Sequence, residues 1–146
     1  MSSTTSNPQP TGVVMSAEGQ PAFKVNLSHG PSGTRINTEA PKDNGGTGSS
    51  FSPTDLVGAA LAACAVTTMA LTATREGLPW GECSAQVEKR MTPPPRRIGE
   101  LVLEIKMPRG LNPEQRQKLE NAGRNCPVAR SLHPELKLPI TFSYPD

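Results

Sequence analysis

Aromatic residues are scarce in this chain: one Trp, one Tyr and three Phe among 146 residues. Trp80 and Tyr144 are too few to form a stacking platform for single-stranded nucleic acid. The formal net charge of +2 supplies no footprint for a phosphate backbone or an anionic membrane surface. Charges of both signs are interspersed, and no basic block is longer than two residues, as at Arg96-Arg97. The histidines are His29 and His133 alone, and without CxxC or HxxxH spacing a structural zinc site is not expected. There is no GxGxxG, no phosphate-binding loop motif and no GxSxG elbow, so no cofactor is expected either. The three cysteines are an odd number, which argues against a secreted disulfide framework. The first residues lack the basic and apolar regions of a secretory leader, so the expected home is the reducing cytoplasm.

Length predicts one domain, over residues 11–146, able to bury a core without disulfide staples. Residues 1–10 (MSSTTSNPQP) are expected to form a disordered tail. The dominant feature is Leu56–Thr74, a run without a charge. It is close to the length of a membrane span but mostly Ala and Thr, which favours a buried core helix. Ser52 is the expected N-cap, Pro53 fits the first helical position, Asp55 suits the positive end of the helix dipole, and Gly77 stops the helix after Glu76. Ala on every face calls for neighbours on several sides, which predicts a homodimer packed near its central helices.

The remaining elements follow from period-two alternation and turn residues. Gly12–Ala17 and Phe23–Leu27 predict a hairpin turned at Glu18–Pro21, with a third strand over Thr34–Thr38. Pro41–Ser50 is a loop by composition. Ser84–Met91, with Ala85, Val87 and Met91 on one face, pairs with Leu101–Met107 across a proline-rich connection. Asn112-Pro113-Glu114-Gln115 opens a second helix with a capping box. Pro127–Leu132 is a short helical turn, and Leu138–Tyr144 a last strand. The order ββ(β)–α–ββ–α–β defines an α+β fold.

The chemistry-bearing residues are the thiols. Cys126 stands before Pro127, at the N-cap of the short turn, with Arg124 and Arg130 close in sequence. By local chemistry it is the better activated thiol. Cys64 lies in mid-helix and needs a cation from another segment, for which Arg35, Arg96 and Arg97 are candidates. Asp55 serves the helix dipole or holds such an arginine in an ion pair. Cys83 has no evident activator and reads as structural.

Phe51-Ser52-Pro53-Thr54-Asp55-Leu56 followed by Ala62-Ala63-Cys64, together with Cys126-Pro127-Val128, resembles the osmotically inducible protein C and organic hydroperoxide resistance (OsmC/Ohr) family. The order of elements agrees from about Gly12 to Tyr144. The resemblance implies an intertwined homodimer, with long central helices packed against antiparallel sheets shared between subunits. It implies a peroxidase for organic hydroperoxides, with Cys64 as the attacking thiol, Cys126 as the resolving thiol and a lipoyl-type dithiol as reductant. It also implies supporting roles for Asp55 and an arginine, Arg35 by position, with Arg96 and Arg97 left open. Family members carry a Pro-Glu pair early in the helix; here Pro53 is followed by Thr54 and the acid is Asp55, as in the broader OsmC-like branch. That departure keeps a second reading open, a non-enzymatic redox sensor or apolar-ligand-binding protein on the same scaffold.

Overall fold

Two antiparallel connections set up the first part of the chain. In the computed structural model, which describes residues 12–145, β1 (Met15–Gln20) pairs with β2 (Lys24–His29), and β2 with β3 (Arg35–Glu39). The tail expected over residues 1–10 lies outside the described residues. The first turn falls at Pro21-Ala22-Phe23 rather than at Glu18–Pro21. Ala22 and Phe23 both take positive φ, 62° and 66°, which removes Phe23 from the strand expected there and leaves it exposed. The second turn is closed by the His29 N–H donating to the Thr34 carbonyl at 2.8 Å.

Beyond β3 the loop over residues 41–50 folds back on Glu39. The Glu39 carboxylate accepts from the Thr47 N–H (2.9 Å), the Thr47 hydroxyl (2.6 Å) and the Ser49 N–H (3.0 Å). Three donors on one buried carboxylate favour its charged form and lower its pKa from 4.5 to about 2.

The chain divides into two compact units at the Pro53–Thr54 junction. The second unit is built on α1 (Pro53–Glu76), as the Pro53 and Gly77 punctuation predicts. Gly77 takes φ 66° and the Leu78 N–H returns to the Ala73 carbonyl at 2.9 Å, a left-handed helix stop. A stripe of Gly58, Leu61, Ala65, Met69 and Ala73 is buried. Ala60, Ala63, Thr67 and Leu71 form an exposed stripe opposite, small or apolar throughout.

The sheet beneath α1 consists of β4 (Ser84–Met91), β5 (Ile98–Lys106) and β6 (Ile140–Ser143), in that order. Leu101, Leu103 and Ile105 of β5 alternate into the core with the α1 stripe, and Leu101 lies against Gly58. Each such side chain contributes about 1.5–3 kcal/mol by leaving water. β4 runs antiparallel to β5, but β6 runs parallel to it, where a wholly antiparallel sheet was expected. The reason is the connection: α2 (Pro113–Arg124) and α3 (Pro127–Ser131) lie between β5 and β6, and a helical crossover returns the chain in the same direction. The predicted capping box is present, with the Asn112 side chain accepting from the Gln115 N–H (2.8 Å) and the Gln115 side chain from the Asn112 N–H (3.0 Å). Met69 packs on α2 at Gly123, so α2 and α3 are docked on the same helix that carries Cys64.

Candidate active site

Cys64 sits one residue before Ala65 of the buried stripe, so its sulfur lies at the border of the core and is half-buried. Cys126, between α2 and α3, is fully buried within that core. The fold makes the two thiols electrostatic neighbours, Cys64 being among the groups that raise the Cys126 pKa, and both are free. Two cysteines 62 positions apart in sequence thus become neighbours because α2 docks on α1 and ends where Pro127 forbids its continuation.

The electrostatics separate the two sulfurs. Burial pushes the Cys126 thiol above its ordinary range, outweighing the Ala129 and Val128 N–H groups that favour the thiolate; the hydrogen bond to Cys64 and the charge there push it up further. No full cap hydrogen bond is closed to its side chain. The local expectation that the N-cap position activates Cys126 is therefore reversed: a five-residue helix offers too little dipole to outweigh desolvation. Cys126 stays protonated and can donate its S–H toward a negative charge on Cys64. The flanking cations are engaged elsewhere or exposed. Arg124 lies 5.1 Å from the centre of the Phe142 ring, and Arg130 is exposed. The Thr68 hydroxyl lies 3.9 Å from the Cys64 sulfur.

Asp55 lies in the first turn of α1, and its carboxylate meets the Lys89 ammonium at 2.7 Å. Lys89 also donates to the Thr54 hydroxyl at 2.8 Å. Lys89 was not anticipated, although period-two alternation puts it on the same inward face of β4 as Ala85, Val87 and Met91. A lysine on an otherwise apolar face was the available signal. Among the candidate arginines, Arg35 opens β3 in the first unit, opposite Ser28, and is exposed. Arg96 and Arg97 lie in the exposed β4–β5 connection, where Arg97 pairs with Glu135 at 3.6 Å. Cys83 is half-buried and burial pushes its thiol up; the groove it lines with Trp80, Lys106 and Arg109 includes neither Cys64 nor Cys126. The histidines serve local turns: His29 Nδ1 lies 2.6 Å from the Ser32 hydroxyl, and His133 Nδ1 accepts from the Glu135 N–H at 3.1 Å.

An α+β scaffold carrying a thiol pair between its long helix and a short helical break is the arrangement of the OsmC-like proteins. The chain belongs to that family: the family model for OsmC-like protein matches residues 46–141. No curated protein matches the chain. Among solved structures, a Psychrobacter arcticus 273-4 protein assigned to osmotic stress induction and detoxification response is similar at 30% identity and a TM-score of 0.85, covering 92% of this chain and 98% of that one. An OsmC-like protein of Mycoplasma pneumoniae shares the fold at 16% identity and a TM-score of 0.78, over 93% and 99% of the two chains. An organic hydroperoxide resistance protein OsmC of Legionella pneumophila does so at 18% identity and 0.73, again over 93% and 99%.

Proposed function

We propose that the protein is a thiol peroxidase that reduces organic hydroperoxides. The observation that carries this reading is a half-buried Cys64 on α1 with a buried Cys126 close enough for each thiol to feel the other. The Cys64 thiolate attacks the peroxide oxygen: an S–O bond forms, the O–O bond breaks, and the alkoxide takes a proton from water and leaves as an alcohol. The resulting sulfenic acid is then attacked by the Cys126 sulfur. An S–S bond forms and the hydroxyl leaves as water with the Cys126 proton. A lipoyl-type dithiol reopens the disulfide by exchange, becoming oxidised itself. Apolar core residues around the pair suit an alkyl substituent better than hydrogen peroxide.

Asp55 and Lys89 hold the first turn of the helix in this reading, and the family resemblance is the ground on which Arg35 is proposed for a supporting role. A single OsmC-like domain over residues 11–146 is part of this reading, and the family match over residues 46–141 supports it. The working form is a homodimer in a reducing cytoplasm, where the three thiols stay free between turnovers.

The test is consumption of cumene hydroperoxide with dihydrolipoamide as reductant. Cys64→Ser should abolish turnover, by roughly three orders of magnitude or more. Cys126→Ser should retain the first attack within a few-fold and accumulate a sulfenic acid that dimedone traps, which then over-oxidises. Equal activity of the parent and Cys64→Ser would refute the assignment. Reversible oxidation of the parent without turnover would favour the sensor reading instead.

A further inference from the structure

Thr68 differs from the two threonines that follow it on α1. The Thr72 hydroxyl donates to the Thr68 carbonyl and the Thr74 hydroxyl to the Ala70 carbonyl, both at 2.9 Å. This i−4 bond to the backbone is the usual resort of a helical threonine, and it selects one side-chain rotamer. Thr68 departs from it. Its hydroxyl is turned toward the side chain four residues before it, the Cys64 sulfur, at 3.9 Å. Position 68 is half-buried next to Met69 of the core stripe, a place where alanine or valine would satisfy packing.

Between a neutral thiol and a hydroxyl such a contact is weak. It changes character when the sulfur carries charge. A hydroxyl donating to an anion forms a shorter and roughly twice stronger bond, and contacts that are long in the resting protein tighten once the reacting charge develops. The half-buried setting enlarges the effect. The Cys126 thiol could not serve as such a donor throughout, since in the proposed cycle it is the group that attacks the sulfenic acid. Thr68 is not consumed.

We propose that Thr68 is a fixed hydrogen-bond donor to Cys64, stabilising its thiolate and then the oxygen that Cys64 acquires. This rests on the peroxidase reading for its second half only. In the first step its hydroxyl donates to the sulfur while the S–O bond forms. In the second it donates to the sulfenic oxygen as the S–O bond breaks, helping hydroxide depart before it leaves as water. Its own proton is shared and not transferred, so the balance of each step is unchanged.

Thr68→Val keeps the β-branched shape and removes the donor; Thr68→Ser keeps the donor. Alkylation of Cys64 by iodoacetamide, followed at the Cys64 peptide by mass spectrometry over about pH 5 to 9, reads the thiolate without any hydroperoxide. Thr68→Val should slow alkylation about tenfold near neutral pH and move its pH profile upward, with Thr68→Ser restoring both. Single-turnover oxidation by cumene hydroperoxide should fall in parallel. If Thr68→Val is alkylated like the parent at every pH, the proposal is overturned, whatever the peroxidase assay gives. If alkylation depends on Thr68 but the parent never turns over, the donor stands and the peroxidase reading fails.

Discussion

A thiol enclosed behind another thiol is not the first to meet a dissolved peroxide. The proposed ordering of Cys64 before Cys126 is not legible in local sequence, where the N-cap position and flanking arginines point to Cys126. It rests on burial, and burial depends on how α2 docks, which no window of residues around position 126 contains. That both cysteines matter was legible, because a charge-free helix holding one and a Cys-Pro break holding the other are local patterns. Glu39 shows the opposite limit: nothing in its neighbourhood announces a carboxylate that collects three donors from residues eight and ten positions onward. Its pKa is depressed to about 2, so the stability it contributes is fully present above the ordinary carboxylate range, near 4.5, and is lost as pH falls through about 2. Glu39→Gln should therefore lower the melting temperature at neutral pH and flatten its decline between those two values. Thermal melts of the two proteins from pH 7 to about 2 check this, and parallel acid limbs would show that the carboxylate has no such role.

At the scale of elements, what the sequence displays best is punctuation. Pro53, Gly77, the Asn112–Gln115 box and Pro127 mark helix ends, and the structure has them there. It displays pairing direction poorly: Leu138–Tyr144 reads as a strand in any sheet, and only the helical crossover makes β6 parallel to β5. Turn position is also weakly written, since Ala22 and Phe23 adopt left-handed geometry that their side chains do not advertise. Close helix contacts lie between these cases, because glycine marks them without saying how tight they are. A Cβ at Gly58 would meet only the methyl ends of Leu101 (3.3 Å) and Val87, whereas one at Gly123 would meet the Met69 sulfur at 3.0 Å and two more atoms of that side chain. Replacing a helical glycine by alanine gains about 1 kcal/mol of propensity, and overpacking costs about 1–3 kcal/mol. Gly58→Ala should thus be neutral or stabilising by about 0.5 kcal/mol, and Gly123→Ala destabilising by about 1 kcal/mol. Urea titrations of both variants measure the difference; equal shifts would mean that Met69 moves aside freely.

At the scale of the whole molecule, the distribution of apolar surface is lopsided. In the first unit Val14 is 74% exposed and Phe23 69%, with Met15, Ile36 and Phe51 also exposed. Every residue of β1 is exposed, and among the described residues no strand pairs with its outer edge. In the second unit the outward stripe of α1 ends in an exposed Leu71 on the helix of highest hydropathy in the chain. A soluble chain rarely leaves this much apolar area uncovered. A lipid bilayer does not resolve it, because the opposite stripe of the same helix is already packed on β5 and contains a buried glycine against Leu101. A second copy of the chain packed on the α1 stripe would cover it in both copies at once, since a two-fold contact is self-complementary. A homodimer is therefore expected at micromolar concentration by sedimentation equilibrium. A charge placed on an exposed stripe that a partner must cover is costly there and harmless on a free surface. Leu71→Glu should accordingly shift the protein toward monomer, at least tenfold in dissociation constant, while leaving the circular dichroism of the helices in place. A parent that sediments as a monomer, or a Leu71→Glu variant that dimerises as the parent does, would remove α1 from the interface.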